Sequence, residues 1–206
     1  MIDEQTDKQR SSFWKELPVL LGVAILVAVL VRAFVLQTFF IPSPSMENTL
    51  QIDDRVLVNK LVYDFRAPHR GEVIVFKAPT EWSGNPEGED FIKRVIGVGG
   101  DHVICCDAGK LVINGKRLDE PYLYPGNKPA DQDFDITVPQ GRLWVMGDHR
   151  EASGDSLEHW QQSGHDMTSA TIPEDEVVGR AFTIFWPVNR ATWLTVPEQF
   201  AAIPNP

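Results

Sequence analysis

Cysteine is scarce in this sequence: the 206 residues include only two, Cys105 and Cys106, and these are adjacent. Two thiols are too few for a disulfide framework or a four-thiolate zinc site. Neighbouring Cα atoms across a trans peptide lie about 3.8 Å apart, closer than the usual ~4.4–6.8 Å of a disulfide. We therefore expect free thiols, with a strained bridge between the neighbours as the alternative.

Positive charge is also in short supply. The chain has 19 Lys and Arg against 29 Asp and Glu, a net charge of −10 at pH 7. A protein that binds nucleic acid presents a basic footprint, so no nucleic-acid partner is expected. Residues 1–41 hold four bases and four acids, which puts the whole excess of negative charge on residues 42–206. The chain thus divides into a neutral N-terminal part and an acidic body.

Long apolar runs are absent except for one near the N-terminus. The run from Leu17 to Leu36 contains a single charged residue, Arg32. As a helix at about 1.5 Å per residue this run is ~30 Å long, the thickness of a bilayer core. Arg32 lies near the end of the run, so its long stem reaches the headgroups. We predict a transmembrane anchor at 17–36 behind a tail at 1–16.

A cleavable secretory signal is the alternative interpretation of this run. It requires a short apolar segment followed by a cleavage site of the A-x-A type. From Arg32 onward the sequence reads RAFVLQTFFIPSPS, which has no such site. Lys8, Arg10 and Lys15 precede the run, so the positive-inside rule predicts a cytoplasmic N-terminus. Residues 37–206 are then an extracytoplasmic domain on a single-pass protein of the cell membrane.

The body lacks any stretch with a sustained helical period and is predicted to be mainly β, built from antiparallel sheets. Asn114-Gly115 is a strong signal for a two-residue hairpin. The candidate strands are residues 55–63, 72–78, 91–98, 102–106, 110–115, 134–138, 142–148 and 177–186. The five histidines share no metal-ligand spacing with Cys or carboxylates, so neither a metal nor a cofactor is expected.

The segment FFIPSPSMENTL places two serines, Ser43 and Ser45, just beyond the apolar run. Further along the chain, Lys93 lies in FIKRVIG, where strand alternation puts it on one face with Phe91 and Val95. A lysine on that face has apolar surroundings. On this pattern alone, a surface lysine with an extended stem remains the simpler interpretation.

Five segments in a fixed order carry a resemblance to a known family. Behind the single apolar run come IPSPSM, DDRVLVNK, GEVIVF, FIKRVIGVGGD and GDHREASGDS, and KLVINGKRLDEPYL lies between the last two. This order resembles bacterial type I signal peptidases. The resemblance implies antiparallel β-sheets of the signal-peptidase type, with a small inserted β subdomain at about 102–140. It also implies a Ser-Lys protease that removes signal peptides from exported preproteins after small residues at −1 and −3.

The matching positions imply a role for each residue. Ser45 corresponds to the nucleophile and Lys93 to the general base. Ser43 corresponds to the hydroxyl that joins the Ser45 N–H in the oxyanion hole, and Ser153 to the hydroxyl that orients the lysine. The positions that correspond to structural support are Met46, Arg94, Asp148 and Asp155. The implied partners are preprotein signal peptides and the lipid bilayer, and no cofactor is implied.

Physical chemistry sets a condition on this dyad. A serine hydroxyl needs a base to take its proton, and a lysine with the ordinary pKa of about 10.4 is almost entirely charged at pH 7. Desolvation disfavours the ammonium and lowers the pKa by several units. Lys93 must therefore lie among apolar groups, and a carboxylate beside it would keep it protonated.

The chain departs from the usual family pattern at several places. Leu157 occupies a position where Arg normally follows D-S, so Asp155 loses an expected partner that Arg150 or Arg94 could replace. The other departures are Pro44 for Gly, Asn48 for Pro, Asp53 for Gly and His149 for Asn. Two alternative functions remain: a non-catalytic anchored β domain that acts in binding or assembly, and a self-cleaving Ser-Lys regulator, whose head is normally soluble.

Overall fold

The computed structural model describes residues 16–27, 29, 35–86 and 88–206. Residues 16–27 are helical (α1), and their large apolar side chains are exposed. Within these described ranges, no helix combines the length and the apolar character needed to cross a bilayer. Residues 1–15 of the predicted tail, and residues 28 and 30–34 of the predicted anchor, lie outside the described residues.

The end of the apolar run belongs to a strand rather than to a helix. Leu36, the last residue of the predicted anchor, is the first residue of strand β1 (Leu36–Phe40). The sequence of this strand, LQTFF, continues the apolar composition of the preceding run. Composition alone does not separate the end of an apolar helix from the start of an apolar strand. The strand belongs to the edge of the main sheet, which only the pairing of distant residues reveals.

The main sheet has eight strands and is antiparallel. Its strands besides β1 are β2 (Arg55–Asn59), β3 (Val73–Lys77), β4 (Asp90–Val98), β9 (Arg142–Met146), β10 (Ile172–Pro173), β11 (Val177–Trp186) and β12 (Thr192–Trp193). They lie in the order β1-β2-β11-β3-β4-β9-β10, with β12 paired to β11. The registers from β2 to β12 are antiparallel. The prediction of a mainly antiparallel β fold is confirmed.

A second sheet has four strands. They are β5 (His102–Asp107), β6 (Lys110–Ile113), β7 (Lys116–Arg117) and β8 (Phe134–Thr137), in the order β7-β6-β5-β8. The predicted hairpin joins β6 to β7, with positive φ values of 50° at Asn114 and 77° at Gly115. Two consecutive positive φ angles are the geometry that the Asn-Gly pair favours. This sheet occupies the range in which a small β subdomain is expected.

Short helices interrupt the chain between strands. They are α2 (Val62–Phe65), α3 (Thr80–Ser83), α4 (Ser156–Gln162) and α5 (Met167–Ala170). The predicted strand at 55–63 ends early because the Asn59 side chain accepts the Leu61 N–H, as asparagine does in turns. Helices α4 and α5 are too short to show a helical period. The carboxylates of Asp155 and Asp166 cap their first turns, a role that aspartate commonly fills.

The expectation of free thiols is wrong, because Cys105 and Cys106 are joined in a disulfide within β5. That expectation assumed a trans peptide between the two residues. The peptide bond is cis, and the two Cα atoms lie 3.0 Å apart.

Strand β3 is buried on both faces and separates two apolar clusters. Val73 and Val75 pack in one cluster, and Ile74 and Phe76 in the other, as the alternation of a strand requires. The first cluster also contains Ile41, Met46, Leu50, Val56, Val58, Ala181 and Ile184. The segment 41–50 is therefore held against the main sheet by its own apolar side chains.

Gly179 in β11 provides a test of this packing. A Cβ atom there would collide with the Asn59 carbonyl oxygen and the Val58 side chain of β2. We expect Gly179→Ala to lower the free energy of unfolding by about 1–3 kcal/mol, as overpacking does. The measurement is denaturant unfolding of the full chain in detergent, followed by tryptophan fluorescence.

The matched control is Gly154→Ala, where the added Cβ meets only the flexible end of Glu158 at 3.3 Å. Equal stability losses in the two variants would contradict the steric argument.

Candidate active site

Strand β4 brings Lys93 into the sheet beside an open edge. Residues Asp90–Arg94 pair with β3, whereas β9 pairs only with Arg94–Val98. Among the described strands, the part of β4 from Asp90 to Lys93 therefore has a partner on one side only. Lys93 is 4% exposed, so its amine is buried although the backbone edge beside it is open.

Ser45 lies in a 3₁₀ turn, Pro44–Met46, and is 4% exposed. Met46 is fully buried in the apolar cluster and fixes this turn against the sheet. Proline at the first position suits the turn, because φ is preset and a missing N–H costs nothing there. The Ser45 carbonyl accepts the His149 N–H at 3.1 Å, which adds a second attachment.

The sheet and the turn together bring the two predicted dyad residues into contact. Lys93 Nζ lies 2.7 Å from Ser45 Oγ, and Ser43 Oγ lies 3.3 Å from the same atom. The centre of the Phe91 ring is 5.7 Å from Lys93 Nζ. The amine therefore sits between a hydroxyl and an aromatic ring, away from bulk water.

Burial lowers the pKa of Lys93 to about 8, and it is the largest influence on this group, because desolvation disfavours the ammonium. The charges of Asp155, Asp148 and Glu158 act in the opposite direction and raise the pKa. None of the described carboxylates forms an ion pair with Lys93, so desolvation prevails. With this pKa, roughly a tenth of the amine is neutral at pH 7, far more than in a lysine with the ordinary pKa.

Arg94, the next residue of β4, has the opposite electrostatic environment. Its guanidinium binds the Asp148 carboxylate through two hydrogen bonds of 2.8 and 2.6 Å, and it also donates to the Gly71 carbonyl. Thr49 donates to Asp148 and accepts from Arg94, which attaches the segment that follows Ser45 to the pair. The ion pair is almost fully buried, and Asp148 raises the pKa of Arg94 against the effect of burial.

Ser153 lies behind the dyad and is 9% exposed. In the part of the chain that the structure describes, its hydroxyl makes no hydrogen bond of ordinary geometry, to Lys93 or to any other group. It lies near enough to Asp155 to help lower the pKa of that carboxyl. A Cβ atom on Gly147 would collide with both Ser153 Oγ and the Ser45 carbonyl oxygen. Gly147 therefore lets these two groups approach the backbone as closely as only glycine permits.

Asp155 is buried and accepts hydrogen bonds from the Gly147 N–H at 3.0 Å and the Leu157 N–H at 3.1 Å. Burial raises the pKa of this carboxyl, although the Gly147 N–H and the charge of Lys93 oppose the rise. The charge of Arg150 helps to lower the pKa of Asp155, as one of the two suggested replacements for the missing arginine would do. Over the described ranges, neither Arg94 nor Arg150 forms an ion pair with Asp155.

The reason is that each arginine has a different partner, and Asp155 is satisfied by backbone donors. Arg94 binds Asp148, while Arg150 binds Glu120 and two backbone carbonyls. Leu157, at the position where the family usually has arginine, is 6% exposed and packs in the largest apolar cluster.

Asn48 is a supporting residue that sequence reasoning noted as a departure without assigning a role. Its φ is 83°, a left-handed value that proline cannot adopt. The Asn48 amide donates to the carbonyls of Tyr122 and Leu123 at 3.0 Å each, which attaches the segment after Ser45 to a distant loop. Asp53 has φ 71°, which explains why glycine is usual at that position.

Glu47 and His149 form a further attachment of this segment. His149 Nδ1 lies 3.1 Å from the Glu47 carboxylate, and the imidazole stacks on Tyr124 with ring centroids 4.0 Å apart. The same residue donates its backbone N–H to the Ser45 carbonyl. Only the departure of His149 from the usual asparagine pointed to this position in the sequence.

The dyad opens into a cleft of about 530 Å³. At one wall, two segments that contain none of the predicted strands, residues 79–90 and 151–175, are in contact. Trp82 stacks on His159 with centroids 4.3 Å apart and donates to the Ser169 carbonyl at 2.8 Å. The lining near the dyad includes Phe39, Ile41, Ser43, Ser45, Val75, Phe91, Ile92 and Lys93. The cleft is thus apolar close to Ser45 and could enclose small side chains there.

One set of metal-ligating side-chain types occurs within reach of a single ion among the described residues: Cys105, Cys106 and Asp133. The two sulfurs are joined to each other, so they offer no thiolate ligands. The set belongs to the second sheet, whereas Lys93 lies on the main sheet. Among the described residues, the side-chain groups within hydrogen-bond distance of Ser45 Oγ are the Ser43 hydroxyl and the Lys93 amine.

The comparisons with known proteins agree in naming one family. The model of the family described as "Signal peptidase, peptidase S26" matches residues 14–186. The chain is 37% identical to the probable signal peptidase I of Mycobacterium leprae (strain TN), over 89% of this chain and 79% of that protein. It is 32% identical to signal peptidase I T of Bacillus subtilis (strain 168), over 90% and 92% of the two chains.

A solved structure is also similar: the signal peptidase I from Enterococcus faecalis V583 is 28% identical, with a TM-score of 0.42, and the match covers 56% of this chain and 97% of that one. Together, the family match and the curated relatives cover most of the present sequence. The chain therefore belongs to the signal peptidase family, peptidase S26.

Proposed function

We propose that this chain is a membrane-anchored serine endopeptidase that removes N-terminal signal peptides from exported preproteins, after small residues at −1 and −3. The observation that carries the proposal is the 2.7 Å separation of Lys93 Nζ and Ser45 Oγ in a buried niche. A neutral amine at hydrogen-bond distance from a serine hydroxyl is the arrangement that nucleophilic catalysis by a Ser-Lys dyad requires.

In the acylation step, Ser45 Oγ attacks the carbonyl carbon of the −1 residue, and Lys93 accepts the proton of the Ser45 hydroxyl. The Ser45 N–H and the Ser43 hydroxyl donate to the oxyanion, and a single such donor is worth roughly 3–4 kcal/mol. The C–N bond then breaks, and the Lys93 ammonium gives its proton to the leaving amine. The signal peptide remains as an ester on Ser45.

In the deacylation step, Lys93 takes a proton from a water molecule, which attacks the ester carbonyl. The intermediate breaks the bond to Ser45 Oγ, and the proton on Lys93 returns to that oxygen. The signal peptide leaves with a free carboxylate. Ser153 orients the amine between these steps. Among the described residues its buried hydroxyl has no hydrogen-bond partner, which supports that role, since a lysine that shifts slightly would satisfy it.

The open edge of β4 supports a mode of substrate binding. The edge from Asp90 to Lys93 is bare because β9 does not reach it, and an extended preprotein segment could pair there as an added strand. Alternate side chains of that segment then point into the same cleft, which matches a requirement at −1 and −3. The apolar lining near Ser45 leaves room for small residues there.

We also propose that the N-terminal segment anchors the chain in a membrane through the apolar run that starts at Leu17 and ends before β1. Its support is the exposure of apolar side chains on α1, a surface that a bilayer would cover. Those side chains are Leu17, Val19, Leu20, Leu21, Val23, Ile25, Leu26 and Val27. Basic residues ahead of the run favour a cytoplasmic tail, which leaves 37–206 as the outer catalytic domain.

The first prediction concerns the dyad. Ser45→Ala removes the nucleophile, Lys93→Ala removes the base, and Lys93→Arg supplies a guanidinium that stays charged at any usable pH. We expect kcat/KM on a preprotein in detergent micelles to fall by roughly 10⁴-fold or more in each variant. The new N-terminus of the product, identified by mass spectrometry, measures the cleavage.

Lys110→Ala, at an exposed position that begins β6 of the second sheet, is the matched control and should cleave normally. Full activity in any of the three dyad variants would refute the dyad. An inactive wild type with a folded domain would instead favour the binding or assembly factor.

The second prediction concerns pH. Because burial lowers the pKa of Lys93 to about 8, the neutral amine accumulates as the pH rises through that value. We expect kcat/KM to increase with pH along an ascending limb centred near that pKa. Asp155→Asn should move this limb to lower pH, because the Asp155 charge raises the pKa of Lys93.

The profile of Asp175→Asn, an exposed site on the 3₁₀ turn before β11, should overlay that of the wild type. A limb centred at the ordinary pKa of a lysine in water would mean that Lys93 is solvated and that its burial has no catalytic consequence.

The third prediction concerns Asn48. Asn48→Pro introduces the residue that is usual in the family, but proline fixes φ at a negative value, which conflicts with the positive φ of this residue. Asn48→Ala keeps the chain length and removes both amide hydrogen bonds. We expect both variants to lower kcat more than they raise KM, with Pro the more severe, because the Ser45 turn loses its position while the cleft persists.

The measurement is steady-state cleavage of a preprotein series, and Asn48→Gly, which accepts positive φ, should recover part of the loss relative to Pro. An Asn48→Pro variant with wild-type kcat would show that the turn is held without this residue.

A further inference from the structure

A second cavity, of about 710 Å³, lies next to the dyad cleft. The two share part of their walls, namely Ala152, Gly154, Glu158 and Gln162. The volume of the second cavity is within the ~300–1,000 Å³ typical of ligand sites. The mechanism above places no part of the signal peptide in it, so it is available to another part of the substrate.

Ser153 relates the second cavity to the position of Ser45. The residue lines this cavity, and its buried hydroxyl makes no hydrogen bond with the described groups. The same hydroxyl and the Ser45 carbonyl oxygen both lie close to Gly147. Ser45 and Lys93 line the dyad cleft, where the leaving amine would take its proton from Lys93. The residues that follow the scissile bond therefore start in the dyad cleft, which shares a wall with the second cavity.

An extended substrate runs in two directions from the cleaved bond, and the two cavities provide one site for each direction. The signal peptide side would lie along β4 from Lys93 back to Asp90, inside the dyad cleft. The chain beyond the cleaved bond continues the other way, past Ser153. At about 3.3 Å per extended residue, three residues span roughly 10 Å, which a cavity of this size accommodates.

We propose that the second cavity binds the first three residues of the mature chain, which directly follow the cleaved bond. The inference rests on the proposed function and extends it from the signal peptide to the product. It assigns the segment 151–162 a role as the divider between the two halves of the substrate.

The charges of the lining predict a preference. Asp131, Glu151 and Glu158 are exposed carboxylates on the cavity wall, and Lys128 is an exposed base. Arg150 also lines the cavity, but its guanidinium is buried and bound to Glu120. The exposed lining is therefore negative. It disfavours acidic residues at positions +1 to +3 of the preprotein and favours basic ones.

The test uses the full chain in detergent and three preproteins that differ only at +2 and +3, carrying Lys, Ser or Glu pairs. We expect the wild type to have a kcat/KM about three- to fivefold higher for Lys than for Glu, the range of surface charge interactions. In the double variant Asp131→Lys with Glu151→Lys, kcat/KM should instead be higher for the Glu substrate than for the Lys substrate. The selection of small residues at −1 and −3 should stay unchanged.

The matched control is Asp64→Lys with Asp175→Lys, which changes the net charge equally at two exposed sites outside the cavity. It should keep the wild-type order. An unchanged Lys-to-Glu ratio in the Asp131 and Glu151 variant, with a wild type that cleaves, would overturn the cavity assignment and leave the proposed function intact. A wild type that cleaves none of the three would overturn the proposed function itself.

A readout without catalysis completes the test. The Ser45→Ala chain is mixed with a preprotein that carries a photoreactive phenylalanine at +2, and the cross-linked peptide is identified by mass spectrometry. We expect cross-links to residues that line the second cavity and not the dyad cleft, namely Lys128, Ala130, Asp131, Glu151, Ser153 and Gln161. Cross-links confined to residues 39–43 and 91–92 would place the mature chain in the dyad cleft and overturn the proposal.

Discussion

The burial of a single amine beside a serine hydroxyl is the constraint on which the site depends. Desolvation lowers the pKa of Lys93, while three carboxylates in the surroundings raise it. Desolvation outweighs these charges because the carboxylates have other partners or lie at a distance: Asp148 binds Arg94, and Asp155 accepts backbone N–H groups. A rearrangement that freed either carboxylate toward Lys93 would raise the pKa of the amine and reduce its neutral fraction.

Strand β4 places Lys93 and Arg94 in different surroundings through the alternation of its side chains. Lys93 and Arg94 are consecutive, so they point to opposite sides of the sheet and meet opposite environments. Lys93 meets Ser45 and Phe91, whereas Arg94 meets Asp148, Thr49 and the ring of Tyr122, 4.2 Å from its guanidinium. One strand thus carries a lysine whose pKa is lowered by burial and an arginine whose pKa is raised by its carboxylate partner. The ion pair of Arg94 and Asp148 attaches the strand to the segment that contains Ser45 and Thr49.

The sequence predicted the parts of this structure that depend on local pattern. Alternating apolar residues located most strands, and Asn114-Gly115 located a hairpin, because turn chemistry and period are local properties. The family resemblance indicated Ser45 and Lys93, which the fold brings into contact. Features that depend on distant residues were missed: the start of β1 at Leu36, the attachments that Asn48 and His149 provide, and the contact of Trp82 with His159. The disulfide between Cys105 and Cys106 was named only as the alternative to free thiols.

The uneven pairing of β4 has a consequence for the position that a bound peptide would take along the strand. One half of the strand is held on both sides, by β3 and β9, and the other half is held by β3 alone. A peptide that paired with the bare half would take its register from β4, which β3 holds in place. The point where the covered edge becomes bare lies next to Lys93. The fixed end of β9 thus defines where a bound peptide starts to pair. A shift of the peptide by one position would turn each of its side chains to the opposite face of the sheet.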